Sequence, residues 1–269
     1  MKSEYPWIRS DEMSLASSIA VRNLEHANEV SDLVAPKTSF YSKTVKRAID
    51  VILSIIALIV CFPVNLVLAI ATYFDVGSPI IFKQTRTGKD LEPFTIYKFR
   101  NMTNERDEKG ELLPPSQRVT KLGKFFRKTS LDELLNFWSV LKGDMSLIGP
   151  RPLPCEYVDR LSERHKYRYS VRPGLECPFS KEIAEKYSYP EPYSRYHVQF
   201  ENDVWYVENL SFSTDAKLFF GLVRMTLDMH HRGKGAGSAS PFIGYDEEGN
   251  AVSRKHYEEH LKKDNANEV

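Results

Sequence analysis

Hydrophobic positions are distributed very unevenly along the chain. One run, VILSIIALIVCFPVNLVLAIATYF (Val51–Phe74), holds 24 residues without a charge. A straight helix of that length reaches about 36 Å, enough for a hydrocarbon core of about 30 Å. The run is apolar on all faces, unlike the one-sided stripe of a surface helix. Pro63 lies near its middle, where a proline removes one backbone hydrogen bond and clashes with the preceding turn. Each half alone, about 18 Å, is too short to cross. Lys43, Lys46 and Arg47 precede the run, and Lys83, Arg86 and Lys89 follow it. Basic residues on both flanks favour the cytoplasm for both ends. A re-entrant helix broken at Pro63 satisfies both flanks, with Asn65 near the freed backbone groups. A kinked spanning helix satisfies one.

The rest of the chain alternates short patterns of mixed type. PIIFKQTRTGKD and EPFTIYKFRNM predict two strands around a turn at Gly88. Leu122–Arg127, Leu131–Lys142 and Asp215–Arg232 have helical spacing, and Cys155–Tyr169 also reads as helix. Residues 1–40 hold one helix-compatible stretch, Leu15–Val34, but too few large apolar residues for a core. GKGAGSAS after Arg232 reads as a linker. A charged tail follows, with a short helix expected from Ser253 to Lys263. The pattern divides the chain into an N-terminal tail (1–42), a membrane helix (43–78), a domain of mixed helices and strands (79–232) and a C-terminal linker and tail (233–269).

Composition narrows the picture. A chain of 269 residues with a net charge of +1 can bury a sizeable core and lacks the basic excess of a general nucleic-acid binder, so no nucleic-acid partner is expected. Cys61, Cys155 and Cys177 have no C-x-x-C spacing and fit a reducing compartment. No apolar run near the start suggests a signal peptide. His256-Tyr257-Glu258-Glu259-His260 matches a bare H-x-x-E-H pattern, but it sits in a polar tail with no third ligand in view. His230-His231 fits the end of a helix. Neither a P-loop nor a Rossmann fingerprint occurs.

The segment RKTSLDELLNFW, Arg127–Trp138, poses the chemical question. Ser130-Leu131-Asp132-Glu133 fits a capping box, with the Ser130 hydroxyl accepting from the Glu133 amide and the Glu133 carboxylate reaching back. Lys142-Gly143 reads as the helix stop. Two adjacent carboxylates beside Arg127 and Lys128 also suit chemistry. Further on, Pro150-Arg151-Pro152 leaves little backbone freedom and directs a guanidinium fork suited to phosphate.

Taken in order, KRAIDVILS, the proline-interrupted run, TIYKFRNM, KLGKFFRKTSLDELLNFWSVLKGDMSLIGPRP and VRPG resemble the bacterial sugar transferase family of monotopic phosphoglycosyl transferases, over roughly Lys43–Arg232. The resemblance implies an α+β, membrane-associated protein: a proline-broken re-entrant helix plus a small, mostly helical cytoplasmic domain with short strands, on the cytoplasmic face of the bacterial inner membrane. It implies an enzyme that moves a phosphosugar from a nucleotide diphosphosugar, with a uridine nucleotide as donor, to polyprenol (undecaprenyl) phosphate, starting a surface glycan such as an exopolysaccharide or lipopolysaccharide. Asp132 matches the family nucleophile. Glu133 matches its partner acid, in metal binding or in proton handling, with Mg²⁺ as the cofactor. Arg127, Lys98, Arg100 and the Pro150-Arg151-Pro152 loop match phosphate-contacting positions. A homo-oligomer is compatible with this reading. An inactive membrane scaffold and a nucleotide-sugar phosphodiesterase are the competing readings. After Arg172-Pro173-Gly174 many members continue with Thr-Gly, whereas this chain reads Leu175-Glu176-Cys177-Pro178-Phe179. That departure bears on the sugar or nucleotide pocket.

Overall fold

A computed structural model describes residues 10–187, 194–227 and 240–258. The chain begins with α1 (Ser10–Glu29), then a π-turn (Tyr41–Val45) leads into α2 (Lys46–Val76). An antiparallel hairpin, β1 (Ile81–Thr87) and β2 (Pro93–Phe99), turns around Gly88 as its pattern predicts. The short α3 (Pro115–Arg118) precedes α4 (Lys121–Thr129) and α5 (Asn136–Lys142). β3 (Ser146–Ile148) pairs in parallel with β4 (Gly174–Glu176), and α6 (Glu163–Lys166) lies in the connection between them. α7 (Lys181–Lys186), α8 (Arg195–Asn209) and α9 (Phe212–Leu227) follow, then the antiparallel pair β5 (Phe242–Tyr245) and β6 (Ala251–Ser253). Helices and short strands are mixed, as expected for an α+β domain.

α2 is a single helical element through Pro63, so the proline does not end it. The π-turn and α2 together form one helix, Tyr41–Val76, long and apolar enough to cross a membrane. Its two ends dock on the same body. At the start, the Arg47 guanidinium donates to the Val140 and Leu141 carbonyls at 2.6 and 2.8 Å, covering the C-terminus of α5. Asp50 accepts from the Ser146 hydroxyl (2.8 Å) and the Leu147 amide (3.1 Å) on β3. At the far end, Leu68 packs with Phe99 and Phe126, and Asp75 accepts from Thr120 at 2.6 Å. Between these anchors Ile55, Ile56, Ile59, Val60, Phe62, Leu66 and Val67 face outward. So large a contiguous apolar surface marks an interaction with lipid or protein.

The terminal segments, expected as tails, are built into the body instead. Ile19 of α1 clusters with Ile243, Val252 and Tyr257, and the Asn23 amide donates to the Tyr245 carbonyl at 2.6 Å. Ala27, Phe242, Tyr245 and Ala251 join Tyr157, Leu161 and Phe200 in the largest cluster. Each terminal segment has few apolar residues, but together the two complete one core. A helical stretch begins at Arg254, where a short helix was expected, and its continuation beyond residue 258 lies outside the described residues.

One other expectation is corrected, and two fall partly outside the described residues. Cys155–Tyr169 is not one helix but a 3₁₀ segment (Cys155–Arg160), α6 and a second 3₁₀ segment (Tyr167–Ser170). Leu161 is extended there, and the Ser162 hydroxyl caps a new start by accepting from the His165 amide. α9 starts three residues before Asp215, and the rest of its expected span, with His230-His231, lies outside the described residues. The H-x-x-E-H run also extends past them.

Candidate active site

The capping box at Ser130 does not form. Ser130 is left-handed (φ 58°) and its amide closes the C-terminus of α4 on the Arg127 and Phe126 carbonyls. An N-cap residue needs extended backbone, so a residue that ends one helix in this way cannot cap the next. The expected helix Leu131–Lys142 therefore opens as a 3₁₀ turn, Leu131–Glu133, and becomes α-helical only from Asn136. Gly143 (φ 102°) does end it, as expected. The tight turn sends the two adjacent carboxylates in different directions.

Asp132 is buried, 5% exposed. Its Oδ2 accepts from the Asn101 amide at 2.8 Å, and Asn101 Oδ1 in turn accepts from Arg127 Nε and Nη2 at 3.2 and 3.0 Å. Asn101 thus relays between nucleophile candidate and cation. It sits just past β2 and meets α4 at Gly123, where any Cβ would fall 2.1 Å from the Asn101 carbonyl oxygen. Burial, then the neighbouring Glu133 charge, raises the Asp132 pKa, with Lys98 and Arg127 opposing. Burial also lowers the pKa of Arg127, which Asp132 partly offsets.

Glu133 has the opposite environment. Its Oε1 accepts from Lys98 Nζ at 2.7 Å and from Arg151 Nη2 at 2.5 Å. Burial alone would raise its pKa, but the Arg151 and Lys98 charges outweigh burial and hold it at about 2. Arg151 also donates from Nη1 to Glu176 Oε2 at 2.9 Å, and the Glu133 charge raises its own pKa despite burial.

The Pro150-Arg151-Pro152 loop leaves β3 and is fixed by backbone. Gly174 donates to the Pro150 carbonyl at 2.9 Å, and a Cβ on Gly174 would fall 2.2 Å from the Gly149 nitrogen, so β3 and β4 meet at paired glycines. Arg168 reinforces the loop from behind. It donates to the Arg151 carbonyl at 2.5 Å and pairs with Asp203 at 3.0 Å, both side chains being about 1% exposed.

The fold therefore gathers Lys98, Arg127, Asp132, Glu133 and Arg151, from three stretches of the chain, into one cluster. Arg100 goes elsewhere: its Nη2 donates to the Gly77 carbonyl past the end of α2, while Nε and Nη1 are buried without a protein partner. Asn101, Glu176, Arg168 and Asp203 were not singled out from sequence as site residues. Asn101 directly follows the KFR segment, and Glu176 lies in the departure after Gly174, so two of the four carried a signal.

Among the described residues no three His, Cys, Asp or Glu side chains converge on a metal-sized site. Mg²⁺ commonly takes only one or two carboxylates and completes its shell with substrate phosphates and water. Glu133 is ionised and half-buried, and so fits that role as a single ligand, with its Oε1 shared with Lys98 and Arg151.

Residues 41–229 match the family model for bacterial sugar transferases, and the chain belongs to that family. It is 43% identical over 183 residues to an uncharacterized sugar transferase of Bacillus subtilis, covering 68% of this chain and 87% of the relative. It is 34% identical over 208 residues to the UDP-N-acetylgalactosamine-undecaprenyl-phosphate N-acetylgalactosaminephosphotransferase of Aeromonas hydrophila, covering 75% of this chain and 47% of that enzyme. The UDP-glucose:undecaprenyl-phosphate glucose-1-phosphate transferase of Klebsiella pneumoniae is 36% identical over 180 residues, 65% of this chain and 38% of its own. The chain thus spans less than half the length of the last two.

Proposed function

We propose that this protein is a sugar-1-phosphate transferase that moves a phosphosugar from a UDP-sugar to undecaprenyl phosphate and so begins a surface glycan. The observation that carries this reading is the division of labour between Asp132 and Glu133. Asp132 is buried, oriented by a neutral amide and of raised basicity, which suits a nucleophile. An Asp132 oxygen attacks the phosphorus that bears the sugar, forming an aspartyl O–P bond. The bond from that phosphorus to the bridging oxygen breaks, and a nucleoside monophosphate leaves. A phosphate oxygen of the lipid then attacks the same phosphorus and expels the Asp132 carboxylate, giving a lipid diphosphosugar. Splitting the transfer in this way replaces one difficult step with two easier ones.

Lys98, Arg127 and Arg151 offset the anion–anion repulsion of that attack. Glu133, held at about 2, has no proton to give at neutral pH, which favours a charge-positioning or metal-binding role over proton handling. A Mg²⁺ ion, held by Glu133 and by the donor's own oxygens, would supply neutralisation of the diphosphate. The sugar nucleotides named for the Aeromonas and Klebsiella relatives support a uridine donor. The test is nucleoside monophosphate release from a panel of UDP-sugars with purified protein. Full turnover is expected only with undecaprenyl phosphate present; steady release without it would identify a phosphodiesterase instead.

The same proposal includes a re-entrant α2 on the cytoplasmic face of the inner membrane. Both helix ends bond to one body, at Arg47 and Asp50 and again at Asp75, which supports a re-entrant helix over a crossing one. Single cysteines introduced at Ser42 and Thr85 should be labelled from the same side of sealed vesicles. Labelling from opposite faces contradicts the topology.

A further inference from the structure

Arg151 divides its two terminal nitrogens between two carboxylates, and the two grips are unequal. Glu133 is itself held a second time, by Lys98. Glu176 has no second cation among the described residues; besides Arg151, its carboxylate accepts only from the neighbouring Cys177 amide, at 3.2 Å. Glu176 is also the more accessible of the two, 35% exposed against 22% for Glu133. The Arg151 backbone cannot retreat, because Arg168 and the β3–β4 pairing hold it. An anion arriving at Arg151 therefore meets a guanidinium fork that can open on one side only, the side of Glu176.

Charge gives the consequence. Within the hydrogen-bonded cluster three cations (Lys98, Arg127, Arg151) are matched by three carboxylates (Asp132, Glu133, Glu176), with Arg86 as a further cation near Arg151 and Glu133. A diphosphate that engages both terminal nitrogens of Arg151 competes with these carboxylates for them, and the carboxylate held by fewer partners yields first. We propose that Glu176 is a positioning residue that acts through Arg151: it occupies Nη1 in the resting enzyme, aims the fork, and is displaced by the donor diphosphate, so its charge sets donor affinity. This rests on the reading that the donor diphosphate binds at Arg151, and it adds a residue from the segment where this chain leaves its family's pattern.

The test uses the full chain in detergent and UDP as the probe, with binding measured by calorimetry in the absence of acceptor. Glu176→Gln keeps an oxygen that can accept from Nη1 but removes the charge. We expect UDP to bind about three- to tenfold more tightly, the range of a partly exposed ion pair, and the donor KM to fall with kcat changed by less than about twofold. On an Arg151→Ala background the same substitution should have no effect, because the residue through which it acts is gone. Unchanged or weaker UDP binding by a Glu176→Gln protein that melts like wild type overturns the proposal. A gain that persists without Arg151 overturns it too. If wild type binds UDP and Arg151→Ala does not, the donor reading stands whatever Glu176 does. If Arg151→Ala binds UDP as well as wild type, the donor reading fails and takes this inference with it.

Discussion

Two networks of charged side chains, one between α6 and α8 and one around Arg151, are built on different terms. Between α6 and α8, Arg164 grips Glu201 with two parallel bonds of 2.9 Å, His165 Nε2 lies 2.9 Å from the same carboxylate, and the Tyr187 hydroxyl donates to it at 3.1 Å. His165 Nδ1 lies 2.8 Å from the Tyr245 hydroxyl, which joins the network to the C-terminal hairpin. Glu201 is buried, and both its oxygens have protein partners. Around Arg151 the polar groups are only partly covered, and one partner, Glu176, is held on one side. A closed network fixes structure, because losing one member strands a buried charge. A cluster whose partners can be exchanged leaves room for a ligand.

The sharpest way to break that contrast is at Arg151. Replacing it with Ala removes a partner from Glu133 and Glu176, both partly exposed, so stability should change by no more than about 1 kcal/mol. Turnover should fall by about 10²–10³-fold, as when a main charge-stabilising donor is lost. Turnover assays beside thermal melting check both halves. A large drop in melting temperature with modest loss of turnover would make this cluster structural as well.

The reverse pattern is expected for Glu201→Gln. It should cost about 2–3 kcal/mol of stability by leaving Arg164 and His165 poorly partnered, while turnover below the melting temperature stays within a fewfold of wild type. The pH dependence sharpens this. Glu201 is held well below the usual carboxylate range by Arg164 and His165 against the effect of burial, so its stabilisation is present above about pH 4.5 and is lost as the pH falls through that lowered value. His197, pushed down to about 4 by burial and by His165, is neutral in the fold but protonates near 6.5 when unfolded, so it also costs stability as pH drops from 6.5 toward 4. Asp132 has the opposite sign: its raised pKa means that acid relieves a buried charge while removing the proposed nucleophile. Melting temperature should fall in wild type and in Glu201→Gln alike from pH 6.5 to 4.5, through His197, and below about pH 4.5 it should fall less steeply in Glu201→Gln.

The two regions also differ in how far the sequence disclosed them. The candidate cluster is drawn from short, chemically distinctive stretches, and Arg127, Asp132, Glu133 and Arg151 stand out before any folding is considered. The hairpin of β1 and β2 and the stop at Gly143 are equally local, since a period-two pattern and a glycine each act within a few residues. The capping box was misleading because Ser130 fits the motif in one direction yet is claimed by the helix behind it. The closed network was illegible: the Arg164-His165 pair, Glu201 and Tyr245 are far apart in the chain, and Ile19, Ile243 and Val252 form a core only when α1 and the β5–β6 hairpin meet. The long helix shows both limits, its length plain from composition and the docking of its ends visible only through Arg47, Asp50, Thr120 and Asp75.

The central claim is that Asp132 carries the phosphosugar between donor and lipid, and a mass measurement tests it directly. Protein incubated with its UDP-sugar but no undecaprenyl phosphate should gain the mass of one phosphosugar, on the peptide containing Asp132, and lose it when the lipid is added. Asp132→Asn should melt no lower than wild type, because it removes a buried charge and keeps the bond to Asn101 within reach, and it should show no adduct. An adduct on Glu133, or an adduct that still forms in Asp132→Asn, contradicts the account.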